Sequence, residues 1–136
     1  MTTTARRGTR IAHLGVAVRA LPDVLPFYRD VLGLPAVPLD DADGARIAGL
    51  AAGDSLVELL EPVVANSPIA KFVDKRGPGI HHVCFYVDDL DDTLAKAKAV
   101  GVTLIDDAPR VGAEGKRIAF LHPKSTGGVL IELSEY

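Results

Sequence analysis

The chain has 136 residues, enough for one domain or two small modules sharing a core, and a multidomain organisation is excluded. Hydrophobic residues make up 48% and charged residues 24%, which is enough apolar surface to offset chain entropy and excludes a disordered chain. The net charge is −3 with acids and bases interspersed, so no basic face can track a phosphate backbone. No apolar stretch approaches the roughly 18 residues of a membrane span, so neither nucleic acid nor membrane is an expected partner.

Residues 1–10 read as a frayed tail: arginine and hydroxyl residues without acids, too short a stretch for a transit peptide. The first strand is Ile11–Val18. A helix over Leu21–Leu32 follows, less regular at Pro26 and closed by Gly33 as its C′ residue. Strands at Arg46–Leu50 and Ser55–Glu61 complete a first module, residues 11–62. Residues 63–79 form a helical linker, opened by Asn66-Ser67-Pro68 and stopped by Gly77-Pro78-Gly79.

Residues 80–136 repeat the pattern. Ile80–Val87 lies over Ile11–Val18 at an offset of 69 without a gap. Asp89–Val100 is a helix that Asp89 can cap, with Leu90, Leu94, Ala97 and Val100 as its apolar stripe. Arg117–Leu121 aligns with Arg46–Leu50, and Val129–Glu135 with Ser55–Glu61, by which point the offset has drifted to 74 through loop insertions. The expected fold is α+β: two tandem βαβββ modules forming one curved mixed sheet, a single domain over 11–136. A module of this size buries too little surface to stand alone, so the halves pack together.

Strand alternation places His13 on one face with Ile11, Gly15 and Ala17, and Glu58 with Leu56 and Leu60. An unpaired carboxylate inside an apolar strand costs several kcal/mol. The same oddity recurs at matched positions of the second module, His82 and Glu132. A lone strand histidine is usually a hydrogen-bonded core imidazole, but two His–Glu pairs at repeat-matched positions reverse that preference. His13, Glu58, His82 and Glu132 are therefore the expected ligands of one divalent metal: nickel, cobalt, zinc or manganese, with positions left open for water or substrate.

His81, next to a ligand, is expected on the opposite face as a structural or rim residue. His122, at a strand end, is expected to be solvated or hydrogen-bonded. The acidic run Asp88 to Asp92 suits helix capping. Cys84 cannot form an intrachain disulfide and behaves as a small hydrophobe in its strand, which fits a cytoplasmic setting. The turn Lys124–Gly128 lacks Walker spacing and reads first as a hairpin turn; Lys124 and Ser125 could still contact phosphate groups, with Lys116 and Arg117 adding charge nearby.

Together, the paired modules and the His–Glu, His–Glu pattern resemble the vicinal oxygen chelate superfamily, which includes glyoxalases, bleomycin-resistance proteins and dioxygenases. Val57–Pro62, Ser67–Phe72, Gly79–Val83 and Phe120–Leu133 resemble most closely its methylmalonyl-CoA epimerase family. The resemblance implies a homodimeric isomerase acting on an acyl-CoA, with a divalent cofactor, commonly cobalt. It interconverts C2 epimers by proton abstraction and return through a stabilised enolate, and Glu132 is the first candidate base. In part of that family a glutamate on the strand Arg46–Leu50 is the opposing base; here the aligned residue is Ile47, which carries no proton. Some relatives have glutamine where Glu58 stands, and Glu58, the repeat mate of Glu132, is the expected second base. Two alternatives share the fold: a glyoxalase I-type lactoylglutathione lyase, and a metal-free binding protein of the antibiotic-resistance type. A dioxygenase would typically leave out one of the four ligands.

Overall fold

A computed structural model describes residues 7–136; residues 1–6, most of the expected tail, lie outside the described residues. The chain runs β1 (Arg10–Ala17), α1 (Leu21–Leu25) continuing as a π-helical turn over Pro26–Val31, β2 (Ala36–Val37), β3 (Ala45–Ala52), β4 (Ser55–Pro62), α2 (Pro68–Arg76), β5 (Gly79–Val87), α3 (Leu90–Ala99), β6 (Arg110–Val111), β7 (Arg117–Leu121) and β8 (Ile131–Glu135). All eight strands form one curled mixed sheet in the order β2-β3-β4-β1-β5-β8-β7-β6. That order reads the same from either edge once β5 to β8 are matched to β1 to β4. Within each module the first and last strands are parallel, and the modules meet along the antiparallel β1–β5 pair.

The helices lie over equivalent cores. Val18, Leu21, Leu50 and Leu59 cluster under α1, and their repeat mates Val87, Leu90, Leu121 and Leu133 cluster under α3. Neither cluster could close around a single module's helix without its strands, so local helix propensity and sheet burial are satisfied together. Leu90 is fully buried at the first turn of α3. Leu90→Ala is expected to destabilise the fold by about 2–5 kcal/mol, read as a lower midpoint in denaturant unfolding with an unchanged slope.

Each module also caps its helix from its last strand. Glu61 accepts from the Leu21 amide (2.7 Å) and pairs with Arg46 (3.3 Å); Glu135 accepts from the Leu90 amide (2.9 Å) and pairs with Arg117 (3.2 Å). This satisfies a free helix amide and places negative charge at the positive helix end. Arg117 is thereby turned to Glu135 and Asp91 rather than adding charge beside the Lys124 turn.

Three expectations are adjusted. The first helix is not α-helical to Leu32: Pro26 has no amide to donate back, and the chain widens to a π turn in which the Leu32 amide reaches Phe27 O at 3.0 Å. The last strand opens at Ile131 rather than Val129, although Leu130 O still accepts from the Val83 amide. The described end of the tail is tied down: the Arg7 and Gly8 amides donate to the Asp88 carboxylate, the Tyr136 hydroxyl donates to Gly8 O, and Arg10 already opens β1. In the linker Ser67 caps α2 as expected, its Oγ accepting from the Ala70 amide, and Asp89 caps α3 by accepting from the Asp92 amide. No described helix is long and apolar enough to cross a membrane.

Candidate active site

The strand register builds the site as two rows across the sheet. One row runs Gly49–Glu58–Gly15–His82, over β3, β4, β1 and β5. The other runs His13–Cys84–Glu132–Phe120, over β1, β5, β8 and β7. The repeat exchanges the rows residue for residue, so each imidazole is set beside the carboxylate row of the opposite module. Antiparallel pairing at the module boundary is what turns two separate His–Glu oddities into one cluster.

All four expected ligands are buried: His13 is 3% exposed, Glu58 3%, His82 5% and Glu132 6%. His13 Nε2 lies 2.9 Å from His82 Nε2 and 3.2 Å from Glu132 Oε1, and His82 Nε2 lies 3.0 Å from that same oxygen. Three donor atoms thus make a nearly equilateral triangle. Ligands held about 2.1 Å from one ion at right angles stand about 3.0 Å apart, so the triangle has the dimensions of one face of a coordination octahedron. Glu58 approaches His13 from its other nitrogen, with Oε2 3.0 Å from Nδ1. They meet at ion-pair distance without hydrogen-bond geometry, and neither atom has another hydrogen-bond partner, although both are fully buried. Buried polar atoms are rarely left so, and a cation drawing on this His and carboxylate set would supply what is missing.

Electrostatics agree. Burial opposes charge on His13, yet bonds to Cys84, Glu132 and Glu58 outweigh it and push its pKa up to about 12. Burial likewise opposes charge on Glu132, but His13 and His82 hold its carboxyl down at about 2. The cluster is arranged for positive charge at its centre, a role a proton on His13 fills in the absence of an ion.

One placement differs from the alternation rule. His81 is the extra residue of a β-bulge: between Gly15 and Val16 the partner on β5 steps from His82 to Ile80. The bulge turns His81 into the cavity instead of away from it, with its Nδ1 2.9 Å from His82 Nδ1 and its ring edge-on to Phe72. Burial pushes the His81 pKa down to about 4; in the tautomer in which this neutral ring accepts from His82 Nδ1–H, His82 Nε2 is left free to ligate. Cys84 is buried, but on the site side; its thiol lies with His13 and Glu132, their donor atoms within 4.8 Å of one another, and burial pushes its pKa up to about 12.

A cavity of about 930 Å³, part of it open to solvent, lies over the cluster; its apolar wall includes Ile47, Leu60, Ile69, Ile118 and Phe120. Ile47 thus faces the cavity but offers it no proton carrier. Two further lining residues were not singled out in the sequence, Glu114 and Arg110. Glu114 places a carboxylate oxygen within 4.8 Å of ligand atoms of His13 and Glu58. Arg110 pairs with Asp43 (3.1 Å) and lies over the Phe120 ring. The signal for Glu114 was present in the repeat, where Glu114-Gly115 matches Asp43-Gly44. His122 Nδ1 accepts from the Lys124 amide, and Ser125 Oγ accepts from the Thr103 amide. Their short turn, Pro123–Ser125, leads on to Leu130 at the cavity wall, but neither Lys124 nor Ser125 lines the cavity.

The chain belongs to the glyoxalase/bleomycin resistance protein/dioxygenase superfamily, whose family model matches residues 12–120. Within that superfamily its similarity is to methylmalonyl-CoA epimerases. The mitochondrial methylmalonyl-CoA epimerase of Mus musculus is 39% identical, over 93% of this chain and 72% of that protein. A methylmalonyl-CoA epimerase solved in complex with methylmalonyl-CoA and NH4+ superposes with a TM-score of 0.88 at 38% identity, covering 93% of this chain and 94% of that one. The uncharacterized protein YqjC of Bacillus subtilis is 41% identical over 93% of this chain and 91% of its own length.

Proposed function

We propose that the chain is a metal-dependent methylmalonyl-CoA epimerase in which His13, Glu58, His82 and Glu132 hold the ion. The observation that carries the metal is the buried donor triangle beside the orphaned His13 Nδ1 and Glu58 Oε2; the substrate rests on similarity to the epimerase solved with methylmalonyl-CoA. Two imidazoles and two carboxylates suit nickel, cobalt, zinc or manganese; the resemblance to the epimerase family favours cobalt among them. When bound, the ion supplies a Lewis acid that stabilises negative charge on the thioester oxygen as the C2 proton leaves.

The chain's own residues do the rest. Glu132 stands at the cavity floor with its carboxyl held ionised, ready to accept a proton from C2. Inversion requires a second carrier on the opposite face, and the remaining carboxylates beside His13 are Glu58, the repeat mate of Glu132, which meets Nδ1, and Glu114, which lies near both His13 and Glu58. The apolar wall excludes water from the intermediate carbanion. Lys124 and Ser125, on the turn that leads to the cavity wall, are proposed to contact the CoA phosphates, and the active species to be a homodimer.

The test is incubation of the purified protein with a single methylmalonyl-CoA epimer in deuterated water, with and without chelator. Deuterium at C2 and appearance of the other epimer, both lost on chelation, are expected. No exchange, with turnover of a glutathione hemithioacetal, would instead make it a lactoylglutathione lyase. Substitution of the bulged residue, His81→Phe, keeps the ring on Phe72 but removes the partner of His82 Nδ1. It is expected to weaken metal binding about 10–100-fold in a chelator competition titration.

A further inference from the structure

We infer that Glu114 is the second proton carrier, acting on the face of the substrate carbon opposite Glu132; the inference rests on the epimerase reading above. Glu132 stands with His82 on the Nε2 side of His13. Glu58 meets the Nδ1 side, and a carboxylate oxygen of Glu114 lies within 4.8 Å of a His13 ring nitrogen and a Glu58 oxygen, with the Glu114 side chain lining the same cavity. A carbon held between them presents one face to each.

Three observations favour Glu114 over Glu58. Glu58 is 3% exposed, closed in by the sheet and set against His13, whereas Glu114 is half-buried on the β6–β7 turn, where a proton can exchange with solvent between turnovers. Glu114 is also aimed: the Tyr86 hydroxyl donates to its Oε2 at 2.8 Å, and Lys116 Nζ donates to the Tyr86 hydroxyl at 3.2 Å. Burial, then the bond to Glu114, push the Tyr86 pKa up, so the phenol stays a donor and one carboxylate oxygen is left for chemistry. Finally, the repeat supplies a control within the molecule. Gly44 (φ 74) and Gly115 (φ 73) give the β2–β3 and β6–β7 turns the same left-handed residue, immediately after Asp43 and Glu114. Asp43 also lines the cavity but is exposed and tied to Arg110 at 3.1 Å, whereas Glu114 stands beside His13 and Glu58.

In one direction the C2–H bond breaks as Glu132 takes the proton, and the electron pair moves into the thioester carbonyl. The Glu114 carboxyl then gives its proton to the opposite face, forming the new C2–H bond and leaving a carboxylate. The reverse direction exchanges the roles, and both groups return to their starting states through solvent.

The experiment follows each pure methylmalonyl-CoA epimer with Glu114→Gln in deuterated water. The epimer whose proton faces Glu132 is expected to take up deuterium with its configuration retained, the other epimer not to exchange, and interconversion to fall about 100-fold or more. Metal content and thermal midpoint are expected to match the parent. Tyr86→Phe, which loosens Glu114 without removing it, is expected to lower kcat for interconversion with little change in KM. Interconversion by Glu114→Gln within about threefold of the parent would overturn the inference. So would loss of metal together with exchange of both epimers, which marks a structural residue, or the one-sided exchange appearing in Glu58→Gln instead. Failure of the parent protein to exchange either epimer is a different result and sinks the epimerase reading itself.

Discussion

Glu132→Gln is expected to reduce C2 proton exchange by about 10³-fold or more, because on the proposed assignment one substitution removes both a metal-ligand charge and a proton acceptor. Glutamine keeps an oxygen at the Glu132 position, so steric change is small and the loss reports charge and basicity. Metal affinity is expected to fall as well, measured by competition with a chelator. The same substitution has a signature in the metal-free protein. Its Glu132 carboxyl is depressed from an ordinary 4.5 to about 2: burial raises it, and His13 and His82 more than reverse that. A depressed carboxyl contributes stability that is present above pH 4.5 and lost as pH falls toward 2. Thermal melts of metal-free protein should therefore drop across that window, and the drop should shrink in Glu132→Gln. An unchanged acid limb would mean that Glu132 is not paired with the histidines in solution.

Gly15→Ala is the second large effect. A Cβ at residue 15 would fall within the His82 imidazole, 2.7 Å from Nε2 and closer still to Nδ1 and Cε1. The neighbouring atoms belong to a ring already fixed by His81, His13 and Glu132, so His82 must leave its seat or the β1–β5 pair must spread. The expected result is loss of metal binding and of C2 exchange, with overpacking of about 1–3 kcal/mol in unfolding experiments. Cys84 occupies the matching position of the other module, beside His13, and there a side chain is already accommodated. Cys84→Ala is expected to retain metal, which also tests whether the thiol is a ligand. Metal retained by Gly15→Ala and lost by Cys84→Ala would reverse the assignment of the two rows.

The two effects share an origin. The modules meet through β1 and β5, and the register His13↔Cys84 and Gly15↔His82 is its own image under the repeat. A slip of one residue would turn one histidine to the helix side of the sheet, so the packing of Leu21 and Leu90 on the opposite face helps to hold the ligand geometry. Stability of the cores and integrity of the site are thus coupled through strand register.

From the sequence alone, the repeat, the βαβββ order, the caps at Ser67 and Asp89 and the four buried His and Glu residues could be read. Each depends on spacing along the chain: period two in strands, the helical stripe, and matched positions at a nearly constant offset. The tertiary structure decided what depends on approach between distant segments. Strand alternation put His81 on the wrong face because a bulge forms only when β5 meets β1. Cys84 is the small buried hydrophobe that the sequence suggests, but its position opposite His13 exists only in the sheet register. Glu114 went unread because a turn residue acquires meaning only when the turn closes on a cavity whose floor lies in the other module. The opposing carboxylate was sought at Ile47, the strand position equivalent to Ile118, where the chain supplies an apolar wall. Local periodicity specifies which side chains share a face; which faces confront one another is specified by packing, and the chemistry of this site lies in that confrontation.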